Sequence, residues 1–233
     1  MGMGEMQAVR RIGLLGGTFD PIHYGHLVIA EEVRATLALS EVVFIPAGQP
    51  PHKPGRPVTP AQHRLAMLQL AIASNPAFSL SKIEIERPGP SYTVDTLRLL
   101  RERWGSEVYL AFILGADSLA EFTSWYNAAG VLAQLDCLVA VGRPGYRPPQ
   151  ELVSALDERL PGICERLRVV NAPYLSISAS DLRRRVAEGR PIKYQTPESV
   201  EAYIAQHQLY REPVPREPAE GGRSSYVQDA HAS

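Results

Sequence analysis

Short apolar runs alternate along the chain with stretches in which apolar residues recur every three or four positions. RIGLLG (11–16), VVFIPA (42–47), FSLSKIEIE (78–86), VYLAFILG (108–115) and DCLVAVG (136–142) have the length and the Val, Ile and Leu content of strands. Between the first two, residues 25–39 carry Leu27, Ala30, Val33 and Leu37 at the spacing of a helix with one buried stripe. Residues 61–73 and 92–104 repeat that period. Such alternation predicts an α/β fold, a doubly wound parallel sheet with helices on both faces, which takes its ligands at the carboxyl ends of the strands.

Two stretches interrupt the pattern. Residues 46–60, PAGQPPHKPGRPVTP, hold six prolines and predict a shaped loop at a strand end rather than a regular element. Residues 211–233 have almost no large apolar side chain and many prolines, glycines, serines and charges, the composition of a disordered tail. The expected organisation is one domain over 1–210 followed by that tail, without internal repeats, and a hydrophobic content of 45% over 233 residues is ample for its core.

Charge and cysteine usage then remove whole classes of function. With 24 basic and 25 acidic residues the net charge is -1, so no overall field gathers nucleic acid and any anionic ligand must be held by local groups. Two cysteines, Cys137 and Cys164, are too few for a disulfide framework or a four-ligand zinc site and fit a reducing cytosol. The N-terminus lacks the apolar core of a signal peptide, and the longest apolar run, VYLAFILGA, is about half of what spans a bilayer. The expectation is a cytoplasmic protein with neither nucleic acid nor membrane as partner; self-association stays open.

The candidate chemistry sits where the first strand meets the first helix, in LLGGTFDPIHYGHL. Gly16 and Gly17 allow close approach of the backbone, and His23 and His26, three residues apart, fall on one side of a helical turn. Strand, glycine turn and helix N-terminus together make a phosphate site. A second loop-to-helix junction, LSISASDLRRR at 175–185, offers Ser178 or Ser180 as a cap, Asp181 in the first turn and arginines beyond. Four further features lie between: Lys53 in PPHK, Thr93 at a helix start in RPGPSYTVDTL, Asp117 just past a strand end, and the aromatic pair Trp125 and Tyr126. Each taken alone also suits an ordinary role as cap, core or surface residue. His52, His63, His207 and His231 have no comparable context and are assigned no chemistry.

GGTFDPIHYGHL resembles the signature of the nucleotidylyltransferase superfamily, a Thr or His followed by H-x-G-H, and Thr18, His23, Gly25 and His26 match it completely. Ile177, Ser178, Ala179, Ser180 and Arg183 resemble its second motif, I-S-S-T-x-x-R, with Ala179 and Ser180 departing from the commonest letters. Taken in order from residue 11 to the closing YQTPESVEAYIAQHQLY at 194–210, these stretches are similar to the bacterial nicotinate-nucleotide adenylyltransferases. The resemblance implies a nucleotidylyltransferase domain that joins ATP, with Mg2+, to nicotinate mononucleotide, giving deamido-NAD and pyrophosphate without a covalent intermediate.

It implies catalytic roles for Thr18, His23 and His26 and no protein metal ligands. ATP would be held by Gly16, Gly17, Thr18, Phe19, His26, Gly115, Asp117, Ile177, Ser178 and Arg183, with Ser178 and Arg183 on the leaving pyrophosphate. Lys53, Tyr92 and Thr93 would face the mononucleotide, and Trp125 would stack on its pyridine ring. Arg143 in VGRPGY is as well read as a surface residue as a nucleotide contact. The rivals are a transferase of the same superfamily acting on phosphopantetheine, a class I aminoacyl-tRNA synthetase, for which the chain has no room, and a protein that senses the nucleotide without turning it over.

Overall fold

The computed structural model describes residues 9–49, 58–142 and 144–211. Six parallel strands form one sheet: β1 (Arg11–Gly17), β2 (Glu41–Pro46), β3 (Phe78–Leu80), β4 (Tyr109–Gly115), β5 (Cys137–Gly142) and β6 (Leu167–Asn171), in the order β3-β2-β1-β4-β5-β6. The helices are α1 (Tyr24–Thr36), α2 (Ala61–Ile72), α3 (Ile83–Glu86), α4 (Thr93–Trp104), α5 (Ala116–Leu119), α6 (Ala128–Ala133), α7 (Gln150–Arg159), α8 (Ile163–Arg166), α9 (Ala179–Ala187) and α10 (Glu198–Gln206), with a 3-10 turn at Phe122–Ser124.

Successive strand residues point to opposite faces, and each face has its own apolar layer. Leu15, Val42, Phe44, Ile113 and Val139 pack with Val33 of α1, Met67 and Leu68 of α2, Leu182 of α9 and Val200 and Ile204 of α10. Ile12, Leu14, Val43, Ile45, Leu110 and Leu138 pack with Leu97 and Leu100 of α4, Val131 of α6 and Leu156 of α7. Burial on both faces is why the strands read as continuous apolar runs. The α/β doubly wound sheet with helices on both faces is the expected fold.

Two departures are informative. The run at 78–86 is not one strand: β3 ends at Leu80, and the chain turns through Lys82 into α3, with the amides of Ile85 and Glu86 bonded to the Lys82 carbonyl. That turn sends Ile83 into the core and buries Glu84 beside it. β6 lies at the sheet edge with Arg168, Val169 and Asn171 exposed, so it carries no apolar run to mark it. Among the described residues no helix is long and apolar enough to cross a membrane.

From β1 the chain builds outward through β2 and β3, and from β4 in the other direction through β5 and β6. The direction reverses between β1 and β4, and a crevice opens there beyond the carboxyl ends of the strands.

Candidate active site

The crevice is floored by Gly16 and Gly17 at the end of β1 and by Gly115 at the end of β4. After β1 the backbone takes a left-handed step at Phe19 (φ 48°), passes a cis Asp20–Pro21 bond and enters α1 with His23 as its N-cap in extended conformation. The Phe19 ring folds back so closely that a Cβ on Gly17 would lie 3.0 Å from it. Gly25 has the same role for the first histidine, since a Cβ there would stand 3.0 Å from the His23 ring. The two imidazoles stack with centroids 3.8 Å apart, and Phe19 meets His26 edge-on at 5.1 Å.

The His23 amide donates to Nδ1 of His26 at 3.3 Å. An accepting Nδ1 carries no proton, so neutral His26 holds its hydrogen on Nε2, as a donor. Charge is disfavoured on both rings: burial brings His23 down to about 4, and burial together with the neighbouring His23 brings His26 down to about 3. Near neutral pH the pair is an uncharged set of donors at a helix N-terminus.

Groups distant in sequence hold this loop from below. Arg64, 1% exposed, donates Nη1 to the Thr18 carbonyl at 2.9 Å and Nε to the Thr59 carbonyl at 2.9 Å. The buried Asp20 carboxylate accepts from the Thr59 amide at 3.2 Å and from the Tyr210 hydroxyl at 2.7 Å. Arg183 of α9 donates Nη1 to the Asp20 carbonyl at 2.6 Å. At the start of α9, Ser178 is the cap, its hydroxyl accepting from the Asp181 amide at 3.2 Å, and the Ile177 carbonyl lies 3.9 Å from a Cβ placed on Gly25. The two sequence motifs therefore meet, with Ser178 and Arg183 beside the histidine loop. Arg184 and Arg185 instead pair with Asp181.

A cleft of about 580 Å³ extends from Gly25 and Ile29 past Gly115 and Asp117 to Val141, Tyr146 and the segment Ala172–Leu175. Its size suits a nucleoside. Asp117 is exposed in the first turn of α5, on the wall of this cleft. Tyr146 and Tyr174 were not singled out in the sequence, because they stand on irregular connections after β5 and β6 that no periodicity marks.

On the other side of the crevice, α4 begins at Thr93 with Tyr92 as N-cap and no side chain bonded to its free amides. The Tyr92 ring lies 4.4 Å from that of Tyr126, inclined by 31°. Trp125 is half-buried, edge-on to Phe112 at 5.9 Å and tilted against Phe122 at 5.2 Å. Behind this corner, Glu84 accepts from the Thr96 hydroxyl at 2.8 Å and from Ser91, whose oxygen in turn takes the amides of Gly48 (2.9 Å) and Gln49 (3.1 Å). Burial pushes the Glu84 carboxyl up, and the hydroxyls of Thr96 and Ser91 oppose that shift. Sequence reasoning missed Tyr126 as a site residue and Glu84 altogether. Lys53 and Arg143 lie outside the described residues.

Comparison with known proteins decides the family. Residues 14–185 match the sequence model of the family described as cytidylyltransferase-like. A probable nicotinate-nucleotide adenylyltransferase of Thermomicrobium roseum is 51% identical over 201 residues, covering 86% of this chain and 92% of the relative. One from a Roseiflexus species is 54% identical over 200 residues, covering 86% and 98%. The chain belongs to the nicotinate-nucleotide adenylyltransferases, within the cytidylyltransferase-like family. The sheet and its helices also superpose on the nicotinic acid mononucleotide adenylyltransferase of Plasmodium falciparum complexed with NaAD, with TM-score 0.69, 20% identity and coverage of 86% of this chain and 97% of that one. In this chain the histidine loop, the α9 junction and the cleft beyond β4 and β5 adjoin one another at the carboxyl ends of the strands.

Proposed function

We propose that this chain transfers the adenylyl group of ATP to nicotinate mononucleotide, forming nicotinate adenine dinucleotide and pyrophosphate. The observation that carries the reading is the His23 amide bonded to His26 Nδ1, which fixes Nε2 as the protonated, donating nitrogen of His26 at the head of α1, where Gly25 lines a nucleoside-sized cleft. A phosphate oxygen of the mononucleotide attacks the α-phosphorus of ATP in line. The new P–O bond forms as the bond to the β-phosphate oxygen breaks, and pyrophosphate leaves with its electron pair. The nucleophile belongs to the substrate, so the protein's task is to align the two phosphates and to meet the charge that grows on their oxygens.

His26 and His23, with Thr18 and the amides after Gly16 and Gly17, supply those donors, and Ser178 and Arg183 hold the leaving pyrophosphate. Adenosine occupies the cleft lined by Gly115 and Asp117. Among the described residues no group of three or more His, Cys, Asp or Glu could hold a metal ion, and the imidazoles and main-chain amides of the loop are poor ligands for a hard cation, which prefers oxygens such as those of the ATP phosphates. Mg2+ is accordingly read as part of the ATP substrate, bound by its phosphates, and no step is assigned to it.

The acceptor is read from the uncapped start of α4. Free amides at the positive end of a helix dipole suit the carboxylate of nicotinate, whereas a carboxamide turns an NH2 toward one of those donors. A hydrogen bond to a charged group is worth about 1.5 to 3 kcal/mol and a buried donor left unpaired costs about 1 to 3 kcal/mol more, so kcat/KM should favour nicotinate over nicotinamide mononucleotide by roughly 10^2 to 10^4. The test is pyrophosphate release from ATP with nicotinate mononucleotide, nicotinamide mononucleotide and phosphopantetheine in parallel. Equal use of the two mononucleotides would remove the carboxylate assignment, and release only with phosphopantetheine would replace the acceptor altogether.

A further inference from the structure

The histidine loop is bonded at alternate residues to a single distant segment. The Tyr210 hydroxyl donates to Asp20 Oδ1 at 2.7 Å, the buried Thr196 hydroxyl donates to the Ile22 carbonyl at 2.8 Å, and the Tyr24 amide donates to the Gln195 carbonyl at 3.1 Å. Residues 20, 22 and 24 are thus fixed on either side of Pro21 and His23. The donors and acceptor flank α10: Gln195 and Thr196 precede it and Tyr210 follows it. α10 itself is seated by Val200 and Ile204 in the core shared with α2. Tyr210 adopts φ 63°, a left-handed conformation costly for a residue with a side chain and kept only where the surroundings enforce it.

We infer that residues 195–210 are a clamp that sets the geometry of the histidine loop, with Thr196 and Tyr210 as positioning residues for adenylyl transfer. The inference rests on the reaction proposed above, and it gives a task to residues 195–210, which that reaction leaves unexplained. Neither residue lines the cleft. Each acts through the backbone or carboxylate of the loop, and the loop in turn sets where the two imidazoles stand. The Tyr210 phenol suits the task, since burial and the adjacent Asp20 carboxylate push its ionisation far up and keep it a donor. Misplacement of reacting groups by about 1 Å can cost about a hundredfold in rate, so a loosened clamp should show in kcat rather than in substrate affinity.

The experiment uses the full chain with Thr196→Val and Tyr210→Phe, singly and together, with ATP and nicotinate mononucleotide each varied up to saturation. Each single variant should lower kcat about tenfold with both KM values within about twofold, and the double variant should fall further. Tyr203→Phe is the control: it removes the hydroxyl that bonds His63 at 3.0 Å from the same helix, without touching the loop, and should leave kcat unchanged. A second readout is independent of turnover: histidine ring signals followed by NMR during acid titration. In the parent chain His23 stays neutral to about pH 4, and in the clamp variants its titration should move up toward the ordinary 6.5. A kcat within twofold of the parent in folded Thr196→Val and Tyr210→Phe, or an unmoved histidine titration, overturns the clamp. Absence of pyrophosphate release in the parent chain would instead remove the proposed reaction, and the titration would still decide the clamp.

Discussion

Two helices point their N-termini into the same crevice, and they are finished in opposite ways. At α1 the cap is closed internally: the His23 amide is taken by His26, the rings are stacked, and six hydrogen bonds given above tie residues 18–24 to Arg64, Thr59, Arg183, Thr196, Gln195 and Tyr210. At α4 the amides are left open, and the fixing lies behind the turn, where Glu84 holds Ser91 and Thr96. The first arrangement presents side-chain donors whose direction is set in advance, which is what charge developing in a transition state requires. The second keeps main-chain donors free for an anion that must enter and leave. On the reaction proposed here, the α1 end serves the chemistry and the α4 end the choice of acceptor.

The largest break in that contrast comes from emptying the α1 end. His26→Ala should keep the fold and lower kcat by a factor of roughly 10^2 to 10^3, because one preorganised donor is worth about 3 to 4 kcal/mol. A kcat within tenfold of the parent would move the chemistry elsewhere.

Disturbing the α4 end should act on binding instead. In Glu84→Gln the amide NH2 faces either the Thr96 hydroxyl or a Ser91 oxygen already taking two amides, so the turn before Thr93 loosens. KM for nicotinate mononucleotide should rise about tenfold, the loss of roughly one hydrogen bond, with kcat and KM for ATP little changed. An effect confined to kcat would erase the distinction between the two helix ends.

Acid should sharpen the contrast through stability. His23 and His26 titrate at about 4 and about 3 in the folded chain against 6.5 for an unperturbed histidine. Between those values the unfolded chain binds protons that the folded chain refuses. Their contribution is therefore whole above about pH 6.5 and is lost as pH falls toward 4. The melting temperature should drop by several degrees from pH 7 to pH 5, and the His23→Asn, His26→Asn double variant should drop less. An equal fall in both chains would assign the acid sensitivity to other groups. The smallest effect belongs to His63, whose ring bonds only the Tyr203 hydroxyl among the hydrogen bonds described: His63→Ala should leave kcat within twofold and cost about 1 kcal/mol of stability or less, measurable by urea unfolding.

β1, β2, β4 and β5 are legible in the sequence because burial on both faces makes each a continuous apolar run. β6 hides because an edge strand with exposed Arg168, Val169 and Asn171 has the composition of a loop, and β3 hides its end because Ile83 and Ile85 extend the apolar pattern into a helical turn. The residues of the histidine loop are legible for a local reason, since glycines, a proline and two histidines at fixed spacing crowd one turn. What holds that loop is not, because Arg64, Thr196 and Tyr210 reach it from 46, 174 and 190 residues away by single polar contacts. A buried arginine inside a helical pattern reads as a surface charge until its carbonyl partners are seen. Tyr126 escapes for a related reason: its neighbour Trp125 explains the aromatic pair as core, and only the facing Tyr92 ring shows that one of the two looks outward.

The 190 residues between Asp20 and Tyr210 also separate them in time. At about 5 to 20 residues per second a ribosome needs about 10 to 40 s to cover that gap. Throughout it the nascent chain carries Thr18, His23 and His26 without the hydroxyl that completes the hold on Asp20. A chain stopped just short of Tyr210, by a premature stop codon or a protease, would keep every residue that lines the nucleoside cleft and lose the hydroxyl on Asp20, so it should bind nucleotide and turn it over less efficiently. Full turnover would therefore report that synthesis had passed residue 210.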